Sequence, residues 1–329
     1  MDPLLIALIA LALVFDFLNG SRDSSNIVAT MISSRSLAPR RALALTAIAE
    51  FCGPFLFGVA VANTIGSAIV VPDLITLPVL LAALVSAVAW SLFTGRYGIP
   101  SSSSHALIGG LMGAVMASAG AGAIRLAGLT KILVALFLSP LLGLAAGFLF
   151  TRLVYFLARS ASMKINWFFK RAQVFTSVGL ALSYGANDAQ KSMGIITLGL
   201  LISGKIDHFE VPLWVIAACS GAIAIGTSLG GWSLIRTLGS KFYRIRPLHS
   251  FCTQAASAAV ILGAALLGGP VSTTQVVSST IMGVGSADRV SKVRWGVAGS
   301  ILLAWLLTIP LSGLVGALIY FLLSRILPR

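Results

Sequence analysis

Two short runs of hydroxyl-bearing residues, each directly after a proline, interrupt otherwise apolar parts of the chain. Residues 101–105 read Ser-Ser-Ser-Ser-His after Pro100, and residues 271–275 read Val-Ser-Thr-Thr-Gln after Pro270. Proline suits the first turn of a helix, and the free N–H groups and hydroxyls of a helix start favour bound anions. A lone hydroxyl in a membrane helix usually bonds to backbone or to a neighbouring helix. Two matched runs instead predict an oxyanion site formed by Ser102, Ser103, Ser104, Ser272, Thr273 and Thr274.

Carboxylates form a second set of candidate residues. Four of the nine acidic residues lie deep in apolar segments: Asp16, Asp23, Glu50 and Asp188. A carboxylate at the bilayer centre costs at least about 2.5–3.5 kcal/mol, so it normally faces a cavity, an ion or a partner. The alternative for Asp23 and Asp188 is a buried pair with Arg22 or Lys191 that only fixes helix packing. Packing also remains open for Glu50, and Asp16 is assigned no role.

These polar residues lie within or directly before ten apolar segments, which predict an all-α polytopic membrane protein. The first and sixth segments have about 31 residues, or about 46 Å of helix, against a hydrocarbon core of about 30 Å. Both carry polar clusters, so we expect both to be broken or re-entrant helices. The segments run roughly over residues 3–33, 42–65, 73–93, 105–121, 130–157, 173–203, 212–235, 250–268, 270–287 and 295–324.

The two halves of the chain share their rare polar residues in one order, at offsets of 165 to 170 residues. The matched stretches are 20–26 with 185–191, 48–53 with 216–221, and 100–105 with 270–275. Chance matching of Ala- and Leu-rich segments is the alternative, but it would not favour the polar positions. Five segments per half is an odd number, so the second half should be inserted with inverted topology. The predicted divisions are a first repeat at 1–158, a cytoplasmic linker at 159–171 and a second repeat at 172–329.

Charge supports the ten segments and excludes several protein classes. Of 23 Lys and Arg residues, 16 fall in one set of alternate loops, 5 in the other, and Arg22 and Lys191 in the polar clusters. This asymmetry predicts a multi-pass cell-membrane protein, embedded in lipid, with both termini outside. With only 10% charged residues and no basic patch, the chain is not expected to bind nucleic acid. It also lacks metal-ligand spacing, a nucleotide loop and a nucleophile elbow, so we do not expect an enzyme.

The motifs resemble those of the inorganic phosphate transporter (PiT) family over nearly the whole chain. That family carries Gly-Ala-Asn-Asp-Val-Ala-Asn once per half, and residues 185–188 match its first four residues; residues 20–26 keep the Gly, the Asp and the final Asn. Arg22 and Lys191 stand where the family has amides, and they would suit an anion. The family's Pro-Val-Ser-Thr-Thr-His is similar to residues 270–275, with Gln275 for His. Its functional glutamate in the second segment matches Glu50, and Gln254 stands at the later equivalent.

This resemblance implies a sodium-dependent phosphate symporter, commonly a homodimer, with sodium ions as the coupling ions. Oxygen ligands suit such hard cations, and we expect the sodium ligands to be Asp23, Asn26, Glu50, Asn187, Asp188 and Gln254. Arg22 and Lys191 join the six hydroxyl-bearing residues as phosphate ligands. Coupling to protons or a metal–phosphate complex, and transport of another oxyanion such as sulfate, remain alternatives. A channel or a non-transporting membrane scaffold is the remaining class.

Overall fold

The computed structural model describes residues 2–33, 36–97, 99, 101–160, 165–241, 246–293 and 295–326. Eleven α-helices account for most of these described residues, with short 3-10 and π segments between some of them and a single isolated β-bridge, Val70 to Ile124. The helices are α1 Pro3–Ser33, α2 Pro39–Phe57, α3 Ala60–Asn63, α4 Leu77–Tyr97, α5 Ser103–Ala119, α6 Leu126–Leu157, α7 Ile165–Ile202, α8 Leu213–Lys241, α9 Pro247–Leu266, α10 Thr273–Asp288 and α11 Trp295–Ile326.

Each of the ten predicted segments coincides with one of these helices or, for the second segment, with the α2–α3 pair. The all-α, polytopic membrane fold is therefore confirmed. Within the described residues, six helices are long and apolar enough to cross a membrane, and a seventh span results if the bent α2–α3 pair is one span. α5 and α10, with 17 and 16 residues, are shorter than a full crossing.

The prediction that the first and sixth segments are broken is wrong. α1 is one helix of 31 residues and α7 one of 38, about 46 and 57 Å long. Polar side chains do not interrupt the helix because the backbone N–H and C=O groups still pair with one another along it. Ser24 and Ser25 donate their hydroxyls to the carbonyls of Ser21 and Arg22, at 3.0 and 2.9 Å.

The break lies instead after α2. Gly58 has a φ of +78°, a backbone conformation that disfavours any residue with a Cβ. The chain then bends by 68° between Pro39–Phe57 and Ala60–Ala68. The second arm of the bent pair is bonded to α7. The side-chain oxygen of Gln190 in α7 accepts hydrogen bonds from the backbone N–H groups of Val61 and Ala62, at 2.8 and 3.2 Å.

Two smaller points concern the starts of helices. α7 begins at Ile165, within the predicted 159–171 linker, whose cytoplasmic location stays a prediction. Pro270 precedes α10, whose N-cap is Ser272, rather than occupying its first turn. Pro100 lies outside the described residues.

Helix packing has the same pattern in both halves of the chain. At the predicted offset, α1, α2, α5 and α6 are equivalent to α7, α8, α10 and α11. The α1–α8 contact corresponds to the α7–α2 contact, and the α5–α11 contact corresponds to the α10–α6 contact. Likewise α4 contacts α1 and α5, while α9 contacts α7 and α10. Exchanging each helix for its equivalent at the predicted offset therefore leaves the main contacts unchanged.

Glycines set the closest of these crossings. A Cβ on Gly185 in α7 would overlap the carbonyl of Glu50 in α2, and one on Gly20 in α1 would overlap the carbonyl of Ile223 in α8. Gly20 and Gly185 are equivalent positions of the two polar clusters. The glycines therefore bring both polar clusters against the neighbouring half of the chain.

The second polar cluster lies in the interior of the molecule. Every residue from Ser183 to Leu200 in α7 is buried, whereas α6 and α11 expose rows of leucine and phenylalanine side chains on their outer faces. Such outward apolar rows suit contact with lipid. α7 thus holds Asp188 and Lys191 in the interior of the helix bundle, away from the apolar outer surface.

Candidate functional site

The starts of α5 and α10 meet inside the bundle. The Ser104 hydroxyl donates to the carbonyl of Val271, at 2.9 Å, and Gln275 Nε2 lies 3.3 Å from His105 Nδ1. His105 and Gln275 are equivalent positions of the two hydroxyl-rich runs. The first backbone N–H groups of a helix have no partner within it, so two sets of donors converge in this region.

The start of α10 binds both buried aspartates of the polar clusters. Thr274 Oγ1 donates to Asp23 Oδ1 of α1, at 2.9 Å, and Thr273 Oγ1 donates to Asp188 Oδ2 of α7, at 2.9 Å. Asn26 also donates to Asp23 Oδ1, at 3.3 Å. Neighbouring side chains on one short helix therefore join the two halves of the predicted site.

Three carboxylates line one small enclosed space. Asp23, Glu50 and Asp188 share it with Asn19 and Tyr184. A hydroxyl from α8 also reaches this region, because Thr227 donates both to Glu50 and to the carbonyl of Gly20. Glu50 and the two cluster aspartates thus come together from three different helices.

A larger cavity of about 400 Å³ adjoins this space through Asn19 and Asp23. Its wall includes Arg22, Ser103 and Thr274, while Thr94 and Gly95 line the part nearest the end of α4. One Arg22 nitrogen donates to the carbonyl of Ser91, at 3.2 Å. Ligand pockets of this size are common, and this one combines a guanidinium with hydroxyl groups.

The six predicted anion ligands divide into three pairs. Ser103 and Thr274 line the large cavity. Ser104 and Thr273 donate to Val271 and Asp188. Ser102 and Ser272 are the N-caps of α5 and α10, and the Ser102 hydroxyl accepts from the backbone N–H of His105, at 3.2 Å.

The two predicted cationic ligands occupy different surroundings. Arg22 lines the large cavity, whereas Lys191 is buried, with 1% of its side chain exposed, and forms an ion pair with Asp188. Both therefore lie near the clusters, but Lys191 already has a carboxylate partner.

Two of the predicted sodium ligands, Asn187 and Gln254, have different hydrogen-bond partners and lie in different parts of the molecule. Asn187 is buried, donates to the carbonyl of Gly269 at 3.3 Å, and leaves its own Oδ1 without a hydrogen-bond partner among the described residues. Gln254 lies elsewhere, since its Oε1 accepts from Thr176, at 2.7 Å. Thr176 precedes Asp188 by three turns of α7, about 18 Å along the helix axis. The structure therefore does not bring Gln254 to Asp23, Glu50 and Asp188, which line the enclosed space.

Sequence reasoning missed three side chains in this region. Asn19 lines both the enclosed space and the large cavity, Tyr184 lines the enclosed space, and Thr227 bonds Glu50. Asn19 and Tyr184 each directly precede a matched stretch, at Gly20 and Gly185, which was the available signal. No signal identified Thr227, because α8 reaches the site only through tertiary packing.

The cation-binding capacity of the site depends on mixed oxygen ligands. In the part of the chain that the structure describes, no three acidic, histidine or cysteine side chains converge closely enough to hold a metal ion. Sodium is a hard cation that accepts carbonyl, hydroxyl and carboxylate oxygens together. Asp23, Glu50, the Thr227 hydroxyl and the unpartnered Asn187 oxygen supply oxygens of these kinds.

Comparison with known proteins gives concordant matches along the whole chain. The sequence profile of the phosphate transporter family matches residues 19–316. A "Probable low-affinity inorganic phosphate transporter" of Rhizobium meliloti is 44% identical over 97% of this chain and 96% of its own length. A protein of the same description from Bacillus subtilis is 43% identical over 99% of this chain and 100% of its own length. A solved structure, "The sodium-dependent phosphate transporter", is 25% identical, with a TM-score of 0.88 over 98% of this chain and 100% of that chain.

Proposed function

Because the chain belongs to the phosphate transporter family, we propose that it carries inorganic phosphate across the cell membrane together with sodium, by alternating access. Membrane transport of phosphate, rather than catalysis, is the activity of that family. The observation that carries the coupled mechanism is the direct hydrogen bond between Thr274 of a hydroxyl-rich helix start and Asp23. It makes the anion and cation ligands neighbours.

The phosphate site is proposed to lie in the large cavity, between Arg22 and the start of α5. Arg22 and Ser103 line it together, and Thr274 adds a second hydroxyl from α10. Guanidinium groups bind phosphate oxygens through paired N–H donors, and the α5 start adds backbone N–H groups. This arrangement offers a tetrahedral anion donors from α1 and α5 beside a hydroxyl group of α10.

Sodium is proposed to bind beside this anion, at Asp23, Asn26, Glu50 and the unpartnered oxygen of Asn187. Carboxylates near an anion repel it strongly at low dielectric, and a bound cation reverses that local charge. Phosphate affinity should therefore rise with sodium and, by linkage, sodium affinity with phosphate. The adjacency of the two sites is thus the origin of coupling.

The repeat is proposed to supply the alternating access. The matched packing of the two halves supports an inverted repeat of residues 1–158 and 172–329, because each half holds an odd number of predicted spans. The large cavity reaches Thr94 and Gly95 near the end of α4, on the side of the basic loops. By the charge asymmetry that side is the cytoplasm, so this conformation is proposed to face inward.

Labelled phosphate uptake into proteoliposomes, with sodium or proton gradients imposed separately, tests the proposal. An inward sodium gradient should accelerate wild-type uptake, and Asp23→Asn should abolish that acceleration because the cation loses its charged ligand. Asp207→Asn, in the exposed loop after α7, is the matched control and should keep the wild-type response.

Other outcomes would distinguish the alternatives. Acceleration by a proton gradient alone would assign the coupling to protons and refute the sodium site. Uptake of labelled sulfate in preference to phosphate would refute the phosphate site. Flux that never accumulates substrate against its gradient would indicate a channel.

A further inference from the structure

Lys191 is one of two positions, with Arg22, at which the two polar clusters differ in charge. It occupies the position equivalent to Asn26, three residues after the cluster aspartate in each half. Asn26 Nδ2 donates to Asp23 Oδ1 at 3.3 Å, and Lys191 Nζ donates to Asp188 Oδ1. The two side chains therefore contact equivalent carboxylates, one with a neutral amide and the other with an ammonium group.

The ammonium group is held firmly in this position. The exposed fraction is 1% for the Lys191 side chain and 4% for that of Asp188. A buried ion pair is stable only if further hydrogen bonds satisfy its remaining atoms. Thr273 supplies one of these by donating to Asp188 Oδ2, at 2.9 Å.

Among the residues that the structure describes, none forms an ion pair with Asp23. Arg22, its neighbour in sequence, instead donates to the carbonyl of Ser91 and lines the large cavity. The groups bonded to Asp23, Thr274 and Asn26, are both neutral. Of the two equivalent aspartates, Asp188 is thus neutralised by the chain itself, and Asp23 is left for a cation from solution.

We propose that the Lys191 ammonium permanently occupies the position that a coupling cation would take beside Asp188. Each transport cycle then uses one sodium ion fewer than it would with a neutral residue at position 191. This inference rests on the proposed sodium-coupled transport. A tethered cation supplies the positive charge that favours the neighbouring phosphate, but it cannot be released at either face of the membrane. Lys191 is therefore a residue that sets ion stoichiometry rather than a group that merely binds phosphate.

The test compares the ratio of labelled sodium to labelled phosphate taken up by proteoliposomes. Lys191→Asn, which copies the first half, should raise this ratio by about one, because Asp188 then needs a free cation. Asn26→Lys, the reciprocal change, should lower it by about one, and the double exchange should restore the wild-type ratio. Lys131→Asn, at an exposed lysine of α6, is the control and should leave the ratio unchanged.

The outcomes separate this inference from the proposed function. An unchanged ratio in Lys191→Asn, with wild-type uptake still driven by sodium, refutes the inference alone. Sodium drive that appears in Lys191→Asn but is absent from the wild type supports the inference and refutes sodium coupling of the natural protein. If Lys191→Asn does not fold, Asn26→Lys decides: a ratio lowered by about one supports the proposal, and an unchanged ratio overturns it.

Discussion

Ser103 and Thr274 are the two of the six predicted anion ligands that line the large cavity, and their hydroxyls differ in availability. Thr274 already donates its hydroxyl hydrogen to Asp23, at 2.9 Å. Ser104 and Thr273 are committed in the same way to Val271 and Asp188. At the scale of single residues, Ser103 is therefore the hydroxyl group from which phosphate binding should gain most.

Replacing Ser103 by alanine should weaken phosphate binding about 10- to 150-fold, because a hydrogen bond to a charged group contributes about 1.5–3 kcal/mol. Equilibrium binding of labelled phosphate to the purified protein measures the change. Ser118→Ala, at the far end of the same helix, removes a hydroxyl that donates to the carbonyl of Val115 and serves as the control. Equal affinity in the two variants would contradict a phosphate site at the start of α5.

The buried pair of Asp188 and Lys191 makes a separate prediction about stability. Asp188→Asn leaves an unpaired buried ammonium group and should destabilise the protein by about 3–5 kcal/mol. Combining it with Lys191→Met removes both charges and should recover most of that loss. Thermal unfolding in detergent of the wild type and the three variants, including Lys191→Met alone, gives the coupling free energy. Additive effects of the two changes would show that the pair contributes nothing.

Individual site residues could be predicted from sequence only where polarity contrasted with an apolar surrounding. Asp23, Glu50 and Asp188 were found that way, and they lie together. Whether a hydroxyl faces a cavity or caps a helix depends on packing, so Ser102 and Ser103 could not be told apart. The ion pair of Lys191 likewise could not be distinguished from a substrate contact before its distance to Asp188 was known.

At the scale of helices, hydrophobicity located all ten segments because burial in lipid or core requires long apolar stretches. The same reasoning misplaced the breaks. It treated polar side chains in α1 and α7 as interruptions, although backbone bonding continues through them. The actual break depends on the backbone of Gly58, and a single glycine among 33 gives no distinctive sequence signal.

The close crossing of α2 and α7 leads to a prediction about helix packing. Gly185→Ala would place a Cβ against the carbonyl of Glu50, so the helices must separate, at a cost of about 1–3 kcal/mol. We expect a lower unfolding temperature and reduced sodium-driven uptake, since Glu50 moves with its backbone. Gly179→Ala, on the same helix with open space around it, is the matched control and should retain both properties. Equal stability of the two variants would argue against a tight crossing.

At the scale of the whole molecule, orientation follows from the charge asymmetry. With 16 basic residues on one side and 5 on the other, the residues joining α6 to α7 should be cytoplasmic. A Ser160→Cys variant, in a background with Cys52, Cys219 and Cys252 replaced by alanine, should react with an impermeant thiol reagent only in inverted vesicles. Lys205→Cys, in the loop after α7, should react in intact cells. The reverse labelling pattern would contradict the predicted topology, and the large cavity would then face the outside of the cell.

The pairing of α1 with α8 has a consequence for biosynthesis. About 180 residues separate the end of α1 at Ser33 from the start of α8 at Leu213. At about 5–20 residues per second of translation, α1 waits about 10–40 s for its main neighbour. During that interval its aspartates and asparagines must be sheltered by the insertion machinery rather than by their final partners. A chain that stalls before α8 emerges would present these groups to lipid, where membrane proteases can recognise it.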